Sequence, residues 1–81
     1  MKYYKFNKKF YAYDENEKIA LVCENKTWVL SQENIFTMYL HNKDVEEVSA
    51  SEVKKVTKEN PQTTINYILL QSVIDSQERA R

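Results

Sequence analysis

Six aromatic side chains fall between residues 3 and 13, interleaved with lysines, and of all the residues in this chain they are the best suited to chemistry. Lys2-Tyr3-Tyr4-Lys5-Phe6-Asn7 is echoed by Lys9-Phe10-Tyr11-Ala12-Tyr13-Asp14. Rings that stack on bases, set beside ammoniums that track phosphates, are the parts of a single-stranded nucleic-acid platform. Lys2, Tyr3, Lys5, Lys8, Lys9 and Tyr11 would be its contacts. The same rings read equally as the core of a small sheet whose lysines snorkel outward at the edge, or as a surface for a protein partner. The core reading is preferred. A small domain needs large side chains to fill its interior, and a formal net charge of zero gives no global field toward phosphate.

Other chemistry-bearing residues stand alone. His41 is the single imidazole, and no His, Cys and carboxylate spacing marks a metal site. At the end of a helix it is expected to cap carbonyls. Cys23 is the single cysteine and closes an apolar run, so a buried inert thiol is expected. Asp14-Glu15-Asn16-Glu17 lacks the glycine and terminal bidentate Glu of a calcium loop and reads as a solvated turn. Glycine is absent, which excludes phosphate-cradling loops and the dinucleotide fingerprint. No cofactor, no metal and no catalysis are expected.

The elements that must position these residues belong to one domain of 81 residues. A folded chain of 9.7 kDa exposes roughly 5,100 Å², which allows one modest core and little room for a deep cavity. Charge is segregated: residues 1–13 carry four lysines and no acid, while residues 44–52 carry Asp44, Glu46, Glu47 and Glu52 and no base. With no glycine, left-handed turns must fall on Asn or Asp, at Asn7, Asp14, Asn16, Asn25, Asn42 and Asn60. One cysteine, no leader-like segment after the first lysines and no membrane-length apolar run make the cytoplasm the expected compartment.

Period-2 patterning predicts strands at Lys2–Phe6, Lys9–Tyr13, Ile19–Cys23 and Thr27–Leu30, joined by turns short enough to make an antiparallel meander. Rings on both faces imply a strand pair covered on both sides, or one with a face kept free. Ser31 is expected to cap a helix over 31–40, with Ile35, Phe36, Tyr39 and Leu40 sharing a face. Over 44–60, one continuous helix competes with a strand at 45–48 followed by a helix at 50–59 opened by Ser49. The second is preferred. Asn60-Pro61 opens the last helix, 61–78, with Arg79 and Arg81 at its negative end. Trp28 should anchor the core beneath it. The predicted fold is α+β, an N-terminal meander of three to five short strands covered by a long C-terminal helix and one or two short ones.

That last helix carries two apolar stripes. Ile65, Ile68, Leu69 and Val73 make one, and Tyr67, Leu70 and Ile74 the other. A sheet covers only one side of a helix. Tyr67, Leu70 and Ile74 are therefore the candidate partner-binding residues, with a homodimer the expected assembly.

Lys2-Tyr3-Tyr4-Lys5, the turn and tryptophan of Asn25–Trp28, and residues 45–52 in their order resemble small accessory proteins of phages and mobile elements of Gram-positive bacteria. Such proteins act by binding a host or phage protein, and inhibitors of host defence, CRISPR inhibitors among them, belong to this class. The resemblance implies a non-catalytic regulatory module and carries over no site residue. Single-stranded nucleic-acid binding is the alternative.

Overall fold

The patterning of residues 1–30 resolves into β1 (Lys2–Phe6), β2 (Lys9–Asp14), β3 (Ile19–Glu24) and β4 (Thr27–Leu30), followed by α1 (Ile35–His41), β5 (Glu46–Val48), α2 (Ala50–Lys54) and α3 (Pro61–Arg79). The computed structural model describes residues 1–79, and the side chains of residues 1–76. All neighbouring strands are antiparallel, in the order β4-β3-β2-β1-β5. The fold is α+β, as the patterning predicts. β5 returns to pair with β1, Tyr3 opposite Val48, so α1 carries the chain from one sheet edge to the other.

Two-residue turns set the register. Asn7-Lys8 and Asn25-Lys26 have positive φ at both positions (52° and 66°, 52° and 63°), the pattern whose twist matches flanking strands. Lys18 is also left-handed, at φ 56°. Of the six Asn and Asp positions expected to be left-handed only Asn7 and Asn25 have positive φ, and Lys8, Lys18 and Lys26 take the rest of that role. A chain without glycine must put some residue at the second turn position, and there it is lysine.

Register sorts the aromatics between two covered faces. Tyr4 lies opposite Tyr11, and Tyr13 opposite Ala20; these pack with Val22, Ile35 and Val45 beneath α1. On the other face Ala12 and Leu21 pack with Trp28, Val53 and Ile65, beneath α2 and α3. Tyr13 stacks on Phe36 with centroids 5.2 Å apart, and Tyr4 meets Tyr39 at 4.9 Å. Neither sheet face is kept free.

The helices depart from expectation in their limits. Asn34, not Ser31, caps α1, its Oδ1 accepting from Phe36 N–H (3.0 Å) and Thr37 N–H (3.2 Å). Leu40 is exposed while Met38 packs inward, because Leu40 lies about 140° from Ile35 on the wheel. Residues 45–60 hold a strand and then a helix, and Ser49 Oγ accepts from Glu52 N–H. That helix stops at Lys54 rather than 59. Thr57 ends it by donating its hydroxyl to Lys26 O at 2.6 Å, and Trp28 Nε1–H donates to Glu59 O at 3.0 Å. Asn60 Oδ1 accepts from Gln62 N–H at the start of α3. The part expected of the Arg79 and Arg81 side chains lies outside the described ones.

α3 outruns the sheet. Its 19 residues span about 28 Å at helical rise, against about 13 Å for the four residues of β4. The radius of gyration is 13.7 Å, where a compact chain of this length has about 11.7 Å.

Candidate functional site

The first candidate set does not form one platform. Alternation sends Lys2, Lys9 and Tyr11 to the α1 face and Tyr3 and Lys5 to the other, leaving Lys8 at a turn tip. Tyr11 is buried, and Tyr3 is half-buried against Trp28 at 6.3 Å. Lys2 pairs with Glu15 at 3.2 Å, and that hydrogen bond with the carboxylate charge raises its pKa. Lys9 pairs with Glu24 at 3.4 Å. Lys5 sits 5.7 Å over the Phe10 ring and lies opposite Glu46 in the register. Base stacking needs exposed rings beside free ammoniums. Here most of the rings are covered and two of the four ammoniums are paired.

Cys23 is half-buried, and burial pushes its thiol pKa up, away from nucleophilic thiolate. His41 ends α1 on the exposed side, bordering an open hollow of ≈ 580 Å³ with Met38 and Thr37. Residues 15–17 are exposed, as a solvated turn should be, while Asp14 is buried, its Oδ1 accepting from Asn16 N–H (2.9 Å) and Glu17 N–H (3.2 Å). Among the described residues no three His, Cys, Asp or Glu side chains gather as a metal site, and no helix is long and apolar enough to cross a membrane.

The second candidate set is brought together. Pro61 and Ile65 are buried, with Ile68 and Leu69 partly so, and this arc holds α3 to the sheet. Tyr67, Leu70, Val73 and Ile74 are 63 %, 57 %, 54 % and 39 % exposed. On a wheel with Ile65 at zero they fall at about 200°, 140°, 80° and 180°, centred opposite the packed arc. Val73 was grouped with the packed stripe by spacing alone. It is exposed because the helix has passed the end of the sheet by that turn.

A third concentration was not singled out from sequence. Lys26, Lys54, Lys55 and Lys58 line a hollow of ≈ 380 Å³ with Val56, Thr57 and Glu59. The hairpin turn supplies Lys26, and the segment after α2 is fastened to it by Thr57. The sequence signal was Lys54-Lys55 followed by Lys58, in a stretch free of acids. Comparison with protein-family models, with curated proteins and with solved structures finds no match to this chain.

Proposed function

We propose that this chain is a small non-catalytic protein-interaction and regulatory module, acting inside the cell by binding another protein. We infer also that it self-associates as a homodimer through Tyr67, Leu70 and Ile74, with Val73 beside them. The observation that carries this reading is the apolar stripe on the face of α3 turned away from the sheet. The chain exposes 6150 Å², about 1,000 Å² more than a compact monomer of its mass. A stable interface removes about 800 Å² per partner, so pairing along α3 would bring the exposed area back to the ordinary range. Tyr67, Leu70 and Ile74 are spaced i, i+3 and i+7, the seam along which two helices interlock. A two-fold axis satisfies both copies at once. The resemblance to phage and mobile-element accessory proteins makes a host or phage protein the proposed further partner.

The test is sedimentation of the wild type beside Leu70→Glu with Ile74→Lys. A dimer that becomes a folded monomer in the variant supports the reading. A wild type that is monomeric at high concentration refutes the dimer. A monomeric wild type whose variant also unfolds would make the stripe internal core.

A further inference from the structure

We propose that Lys26, Lys54, Lys55 and Lys58 form a binding site for a short acidic protein segment that carries an apolar side chain. The site is separate from the α3 stripe and does not depend on α3 pairing. All four lysines are exposed, and among the described residues none joins an ion pair, whereas Lys2 and Lys9 both do. Like charges gathered around one hollow repel, and Glu59, the one carboxylate among its lining residues, forms an ion pair with none of them. The negative end of α2 accounts for Lys54 in its last turn. It does not account for Lys58 or Lys26, which lie outside that five-residue helix.

The hollow is built rather than loose. Thr57, 4 % exposed, donates to Lys26 O at 2.6 Å and accepts from Glu59 N–H at 3.2 Å. Trp28 N–H donates to Glu59 Oε2 at 3.4 Å and Trp28 Nε1–H to Glu59 O. The one carboxylate at the site is therefore turned toward the Trp28 backbone. These bonds tie residues 57–59 to the β3–β4 hairpin, so a ligand meets a preorganised surface and loses less entropy on docking.

The shape selects the ligand. Val56, 38 % exposed, lines the hollow together with the four lysines. A free phosphate would leave Val56 wet. A nucleic-acid strand would seek rings to stack on, but no aromatic lines the hollow and Trp28, bonded to Glu59 beside it, is buried. An acidic segment with one apolar side chain covers Val56 and meets the four charges together, with complementarity that speeds encounter and fixes register.

The experiment is a titration of isotope-labelled protein at low salt. The probe is a short synthetic peptide of aspartate and glutamate with a central leucine. Controls are its glutamine counterpart, its central-glycine counterpart and a short oligothymidylate. The acidic peptide should shift the amide signals of Lys26 and residues 54–59, bind more weakly as salt rises, and outbind every control. Lys54→Glu with Lys58→Glu should weaken it by about tenfold or more. Lys54→Gln with Lys58→Gln, a milder pair, should weaken it in the same direction if the reversal disturbs the circular dichroism. No binding to wild type, tighter binding of oligothymidylate, or unchanged affinity in a folded lysine variant would each overturn the proposal.

Discussion

Tyr4→Phe should stabilise this protein. Tyr4 is fully buried, and its hydroxyl oxygen has no hydrogen-bond partner among the described residues. A buried polar group left unpaired costs about 1–3 kcal/mol of desolvation, which phenylalanine avoids. Deleting one oxygen leaves a small void; at roughly 24 cal/mol per Å³ this returns a few tenths of a kcal/mol. The ring, its contact with Tyr39 at 4.9 Å and its place opposite Tyr11 are kept. The balance favours Tyr4→Phe by about 1 kcal/mol, or about 4–8 °C in Tm for a domain of this size. Urea unfolding followed by circular dichroism measures it, with an unchanged m-value showing that only stability moved. A loss of more than about 0.5 kcal/mol would mean that the hydroxyl has a partner, such as a buried water, worth more than the penalty assigned to it.

Three further outcomes concern the core and one of the turns that frames it. Tyr11→Ala should cost about 3 kcal/mol, because its ring lies under the α1 face; a loss below about 0.5 kcal/mol would put that ring at the surface. Lys8→Gly should raise stability by about 0.5–1 kcal/mol, since φ is 66° there and glycine takes that region without strain; an unchanged Tm would refute the strain argument. Burial raises the phenol pKa of Tyr3, Tyr4 and Tyr11 above the ordinary value, so the folded state holds these protons longer than the unfolded chain. Their contribution is complete below about pH 10 and falls as pH rises through the folded values, at most about 1.4 kcal/mol per pH unit for each phenol. Urea midpoints that stay flat from pH 9.5 to 11.5 would contradict it.

What could be read from sequence was what local chemistry decides. Ring and lysine alternation marked the first strands, and Asn7 and Asn25 marked their turns. Ser49 with Glu52 separated β5 from α2. What escaped depended on distant partners. Ser31 and Asn34 are both good caps, but Ser31 is held in its own turn, donating Oγ–H to Glu33 O and accepting from Glu33 N–H, which leaves the cap to Asn34. Nothing local says that Thr57 will reach Lys26 and end α2. The candidate site divides the same way. Spacing alone assembled Tyr67, Leu70 and Ile74, whereas Lys26 joins Lys54, Lys55 and Lys58 only through tertiary structure.

The return of β5 to β1 also sets the order in which the chain can fold. The turns at Asn7-Lys8 and Asn25-Lys26 close on microsecond times, so the four-strand ribbon can form from neighbours alone. One apolar face then stays wet until α1 has crossed the sheet and the other until α2 and α3 dock, and β5 must also find Tyr3, a closure over a long stretch of chain with a larger entropy cost. Contacts of Val48 therefore belong to the late side of the barrier and those of Ala12 with Leu21 to the early side. Trimming Val48 should speed unfolding and leave the folding rate nearly unchanged; equal effects on both rates would place the closure before the barrier. On a ribosome, residues 1–30 emerge before the helices that cover them, and their sheet becomes safe from aggregation only when those helices arrive.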